Sequence, residues 1–245
     1  MTPVAETSAR LRANGIDRAR GIALLAMAGF HLVWDCVTFA LLDPLILYEP
    51  AFRAYGAAIA ASFIALSGVS TTLARPEGLL ERSVLKRLLR VGASALAVSL
   101  VTWIALPDSY VRFGILHHIF AASLIGISAW RWPSPVLAVL ALCFAALPLV
   151  FPLGLVSAPM SIVLGLPEIP PNTVDTVPLI PWLGAFFAGL LAGKNLRVHL
   201  RPVPALRRVD GLLCWLGRHS LFIYLTHQIV LVALVAALAL ILGTI

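Results

Sequence analysis

Seven predominantly apolar stretches recur along the chain, near 21–42, 54–74, 84–106, 113–130, 133–152, 178–193 and 218–242. A helix needs roughly 20 such residues to cross about 30 Å of hydrocarbon. Within lipid every backbone polar group must find its partner inside the protein, which leaves helices or a closed barrel. Runs of this length and composition therefore predict an all-α fold, a polytopic membrane helical bundle of about seven transmembrane helices. With 60% hydrophobic and 12% charged residues and a mean hydropathy of +0.97, the chain also lacks the polar surface of a soluble domain. An eighth apolar stretch, LGLVSAPMSIVLGL at 153–166, is brief and interrupted by Pro159. It reads as a re-entrant or interfacial piece, or as half of an eighth crossing.

Charge placement sets the orientation. With the N-terminus inside, 16 of the 18 basic residues fall on inner segments and only Arg53 and Arg112 fall outside, together with Asp43, Glu49, Asp108, Glu168 and Asp175. That asymmetry follows the positive-inside rule. It predicts N-in and C-out, with residues 1–20 a basic cytoplasmic tail rather than a cleavable signal and 21–245 one transmembrane domain in a cell inner membrane. The formal net charge of +7 is then mostly topological, from loops that hold orientation and touch anionic lipid. Some of these arginines are also candidates for a phosphorylated cytoplasmic ligand, because guanidinium groups match phosphate geometry. Nucleic acid is excluded as a partner for want of a soluble domain; the lipid bilayer is the first partner, and an oligomer is compatible with the pattern. Cys36, Cys143 and Cys214 lie far apart without C-x-x-C spacing, so neither a disulfide framework nor a zinc site is implied, and no metal is expected.

Against this apolar background MAGFHLVWDC, residues 27–36, stands out. His31 and Asp35 are four apart and share one helix face. At 1.5 Å per residue His31 lies about 15 Å along from Gly21, near the bilayer midplane, and Asp35 about 6 Å further. Ionisable groups at that depth are costly toward lipid and are expected to face the bundle interior. The plainer role is an interhelical hydrogen-bond pair. The functional one is a histidine that takes or gives a proton, oriented by its carboxylate neighbour. In the last run Ser220, Tyr224, His227 and Gln228 form a polar stripe, with His227 near mid-depth. Tyr224 and Gln228 taken singly read as glue between helices. His117 and His118 are adjacent and point in different directions, so at most one can share a given site. No phosphate-cradling glycine loop and no GxSxG elbow is present.

Five segments carry a resemblance. IDRARGIALLAMAGFHLVWD, ASFIALSGVSTTLARP, RFGILHHIF, VPLIPWLGAFFAGLLAG and LGRHSLFIYLTHQIVL, in that order over about residues 15–240, resemble the heparan-alpha-glucosaminide N-acetyltransferase catalytic-domain family, itself related to membrane acyltransferase type 3 proteins. The resemblance implies transfer of an acetyl (acyl) group from cytoplasmic acetyl-CoA to an amine or hydroxyl of a sugar or glycolipid on the extracytoplasmic side. It would place His31, Asp35 and His227 at the catalytic centre, with an intramembrane histidine as base or acyl carrier. Arg20, Arg87, Arg90 and Arg218 would bind the cofactor phosphates, and His117, His118, Tyr224 and Gln228 would contact the acceptor. A reading from another class is a small-solute or proton-coupled transporter, which calls for an inverted repeat or paired broken helices; the two halves show no convincing self-similarity.

Overall fold

A computed structural model describes residues 3–74, 81–150, 157, 159–169, 171–199 and 209–244. Its order is α1 (Pro3–Thr38), a 3-10 turn (Pro44–Tyr48), α2 (Pro50–Ala74), α3 (Arg82–Ala105), α4 (Ile115–Ala129), α5 (Ser134–Ala146), α6 (Met160–Leu164), α7 (Leu179–His199), α8 (Val209–Arg218) and α9 (Ser220–Leu242). Among the described residues no strand forms; Phe113 and Thr176 make an isolated bridge. Among the described residues five helical segments are long and apolar enough to cross a membrane: Asn14–Thr38, Pro50–Ala74, Arg82–Ala105, Leu179–Leu196 and Ser220–Leu242. The other two expected crossings correspond to α4, with 15 residues, and to α5 continued by a 3-10 turn to Leu149. At 1.5 Å per residue α4 spans about 22 Å, short of a full hydrocarbon core.

The helix ends depart from the sequence reading for physical reasons. The first helix does not begin at Gly21: α1 is already helical from Pro3, through the stretch expected to be a tail. It also ends at Thr38 rather than Leu42, in a turn where Ala40 takes φ +57. Asp43 then caps the following 3-10 turn by accepting the Leu45 N–H at 2.9 Å. The last run is entered through a separate ten-residue helix, α8, divided from α9 at His219. Only part of the 153–166 stretch lies among the described residues, and there it forms α6, a five-residue helix closed by Gly165 at φ +87.

The chain divides into two compact units, residues 1–63 with 200–245, and residues 64–199. In the first, α1 presents an inward stripe at Gly21, Leu24, Met27, His31 and Asp35, spaced three and four apart as one helix face requires. Leu24, Met27 and Ile59 form its buried core, with Phe30, Phe63, Leu216, Ile223 and Tyr224 packed against them. The Tyr55 hydroxyl ties α2 to α1 by donating to the Ala26 carbonyl at 2.8 Å. Helix α8 lies antiparallel on α1 at backbone distance: a β-carbon at Gly217 would overlap the Asp17 carbonyl, and one at Gly21 would overlap that of Leu213. The Cys214 thiol donates to the Asn14 carbonyl at 3.4 Å in the same seam.

In the second unit Ile64, Leu137, Phe186 and Leu190 are fully buried. Small residues let α2 and α7 approach closely, Gly68 facing the Phe186 carbonyl and Gly189 facing that of Ala65. The Thr72 hydroxyl donates to the Leu190 carbonyl across that contact at 3.0 Å. The segment before α7 is laid along 108–118 almost residue by residue. Asn172 donates to the Asp108 carbonyl, Val174 N–H to Ser109, the Thr173 hydroxyl to Tyr110, and Val177 N–H to Phe113.

Candidate active site

Helices α1 and α9 bring the sequence-selected residues of the first unit together. The inward stripe of α1 carries His31 and Asp35 to the contact, and α9 meets it with Tyr224, His227 and Gln228. Asp35 is 3% exposed. Its recorded partner is not His31, one turn away, but the Gln228 side-chain amide, which donates to Asp35 Oδ1 at 2.7 Å. His31 packs instead on His227, the two rings T-shaped with centroids 5.0 Å apart. The Tyr224 ring lies 5.9 Å from that of His227. On the other side of His31, Phe30 makes an edge contact at 5.7 Å and stacks on Phe52 at 4.5 Å.

Three buried polar atoms of this group have no hydrogen-bond partner: Asp35 Oδ2, His227 Nε2 and Gln228 Oε1. A buried unsatisfied polar atom costs about 1–3 kcal/mol, so three in one cluster are placed to bond water or a bound polar group. Chemically the cluster offers a carboxylate, an amide and two imidazoles, which suits proton transfer and the binding of a polar group within an apolar helix pair.

Below it along α1 lies a charged clasp. Arg20 reaches Asp17 at 3.5 Å, Arg218 reaches the other oxygen of Asp17 at 3.4 Å, and Arg18 meets Asp210 at 3.0 Å. Two of the four arginines expected to bind a cofactor thus share one carboxylate, and the Arg218–Asp17 and Arg18–Asp210 pairs fasten α8 to α1. The sequence reading named these arginines but not Asp17 as their holder; the three-residue spacing of Asp17 and Arg20 was the available signal. The Arg218 side chain stays 58% exposed and open to a second anion. In the second unit Arg87 donates to the Thr71 hydroxyl at 3.2 Å, and Arg90 is exposed.

The adjacent histidines at the start of α4 have different tasks. His117 is used structurally: its Nδ1 accepts the Gly114 N–H at 3.3 Å, so its Nε2–H faces the Ser99 oxygen at 3.2 Å, and Ser99 in turn donates to the Val111 carbonyl. His118 is fully buried, with Nδ1 3.0 Å from the Pro178 carbonyl and Nε2 unpartnered. Asp175 supports the same helix end by accepting the Ile115 N–H at 3.1 Å. Burial raises the Asp175 carboxyl above the ordinary carboxylate range, and the Ile115 hydrogen bond draws it back. Replacing Asp175 with alanine is expected to remove an N-terminal helix contact worth about 1 kcal/mol. Thermal unfolding in detergent checks this, and the melting temperature should fall modestly with no loss of yield.

Residues 12–229 match the model of the family described as heparan-alpha-glucosaminide N-acetyltransferase, catalytic. The chain belongs to that family. No curated protein and no solved structure matches it. Membership in the heparan-alpha-glucosaminide N-acetyltransferase catalytic family, together with the long apolar helices, makes this a multi-pass membrane protein of acetyltransferase type. The matched range covers the whole of the second unit, most of the first, and every candidate site residue.

Proposed function

We propose that this family member transfers an acetyl group from cytoplasmic acetyl-CoA to an amine or hydroxyl of a sugar or glycolipid on the extracytoplasmic face of a cell inner membrane. Residues 21–245 act as one acyltransferase domain with seven crossings, N-in and C-out, and 1–20 lie on the cytoplasmic side. The observation that supports this most directly is the cluster of His31, Asp35, His227 and Gln228, with its three unpaired buried polar atoms, inside a chain whose family transfers acetyl groups. A histidine at that depth lets a long donor bring its thioester into the membrane while its phosphates stay with basic residues at the cytoplasmic end. His31 serves as base or acyl carrier, Asp35 and His227 complete the centre, and Tyr224 and Gln228 contact the acceptor. Family membership does not favour the transporter reading.

The donor site fits the residues available for it. The exposed Arg218 guanidinium lies beside Arg20 on the shared Asp17, a cationic group suited to phosphate; within the second unit Arg90 is an exposed cation of the same kind. A charge-assisted hydrogen bond contributes about 1.5–3 kcal/mol. Arg90→Gln and Arg218→Gln are therefore each expected to raise the KM for acetyl-CoA by roughly tenfold or more, with kcat little changed. Unchanged KM and CoA affinity in both variants would leave these arginines with orientation and helix fastening as their only roles. Transfer of label from acetyl-CoA in proteoliposomes, against a panel of amino sugars, tests the proposed reaction itself.

A further inference from the structure

We infer that His227, rather than His31, is the group that takes the proton from the acyl acceptor, and that Gln228 with Asp35 positions the acceptor beside it. This rests on the acyltransferase reading and adds a division of labour between the two histidines. The argument starts from valence. His227 Nδ1 lies 2.7 Å from the Tyr224 carbonyl. A carbonyl only accepts, so Nδ1 carries the hydrogen and Nε2 of the neutral ring holds a bare lone pair. That lone pair is buried and unpartnered. Backbone thus fixes the tautomer a base requires, as an orienting partner does for other catalytic histidines.

The neighbours point the same way. Gln228 is held with its amide nitrogen on Asp35 Oδ1, since the reverse orientation would set oxygen against carboxylate. Its Oε1, which the His31 ring approaches, and the second Asp35 oxygen are consequently also acceptors. Every unsatisfied atom of this seam therefore accepts and none donates. The group that completes it must bring polar hydrogens, as an amine or hydroxyl nucleophile does and a phosphate does not. The groups facing His227 are His31 across the seam, Tyr224 on its own helix, and Asp35 through Gln228. The His31 ring is engaged by the Gln228 side chain rather than by backbone.

In the reaction, the acceptor N–H or O–H gives its proton to His227 Nε2 as its nitrogen or oxygen bonds to the acetyl carbonyl carbon. The carbon–sulfur bond breaks, coenzyme A leaves as thiolate, and the proton passes from His227 to that sulfur. Atoms and charge balance with no further reactant. His31 meets the thioester.

The test compares wild type with His227→Gln, which keeps a polar atom near the Nε2 position but cannot take a proton, in proteoliposomes with acetyl-CoA and an amino-sugar acceptor. Transfer should fall by on the order of 100-fold or more, coenzyme A affinity should hold, and the rise of kcat/KM with pH through the histidine range should vanish. A purely structural role would leave that limb in place. Nitrogen NMR of histidine-labelled wild type gives a reading independent of variant folding; it should find His227 with Nδ1 protonated and Nε2 bare. The opposite tautomer, or a His227→Gln protein with wild-type transfer and pH profile, overturns the assignment. A folded wild type that neither binds coenzyme A nor transfers acetyl overturns the acyltransferase reading beneath it.

Discussion

Gly217→Ala is expected to disrupt the first unit, while Gly211→Ala, six residues earlier in the same helix, is expected to be harmless or mildly stabilising. At Gly217 a methyl group would occupy the position of the Asp17 carbonyl, and the obstacle is backbone on both sides. Overpacking against flexible side chains costs about 1–3 kcal/mol. Here no rotamer change relieves it, so α8 must lift from α1, taking with it the contacts of Arg18 to Asp210 and Arg218 to Asp17. Around Gly211 nothing lies within 4 Å of the added carbon, and alanine gains up to about 1 kcal/mol in helix propensity. Size-exclusion profile and melting temperature in detergent separate the two: Gly217→Ala should lose most of the monodisperse protein, and Gly211→Ala should retain it. Equal behaviour would show that α8 does not depend on this close approach.

The second large effect concerns chemistry rather than folding. His31→Ala is expected to reduce acetyl transfer by on the order of 100-fold or more, because it removes the ring against which the His227 base packs, with yield, melting temperature and coenzyme A binding close to wild type. His31 is only part-buried, and beside its interaction with Gln228 its contacts are ring contacts to Phe30 and His227. Removing it leaves the tie from Gln228 to Asp35 in place. The variant thus separates loss of function from loss of structure. A simultaneous collapse of folding would assign His31 to packing.

Much of this arrangement was legible in the residues. Hydrophobic runs near 20 residues located the five helices long enough to cross and two shorter apolar ones, α4 and α5, because crossing length and internal hydrogen bonding leave few alternatives. The four-residue spacing placed His31 and Asp35 on one face, and that face turned inward with Gly21, Leu24 and Met27. What failed to show was every feature set by a distant partner. Gln228 lies 193 positions from the carboxylate it binds, and read singly it was glue between helices. Helix α8 does not show in the sequence because ten mixed residues carry no crossing signal, and its surface to fold on is the distant α1, at Asn14, Asp17, Arg18, Gly21 and the Leu24 and Met27 core. The choice between His117 and His118 depended on the Pro178 carbonyl, 60 residues on, which no local pattern encodes. The N-terminal segment was read from its charges as a tail, yet Arg18 and Arg20 find carboxylates at Asp210 and Asp17, and the helix runs through them.

The central claim is that a histidine within the membrane serves acetyl transfer from acetyl-CoA. The most direct test is transfer of label from radiolabelled acetyl-CoA in proteoliposomes, wild type beside His31→Ala, with and without amino sugars. The account predicts labelled product or labelled protein from wild type and neither from a folded, coenzyme A-binding His31→Ala. Label transferred equally by both proteins, or a folded wild type that neither binds coenzyme A nor moves label, would contradict it.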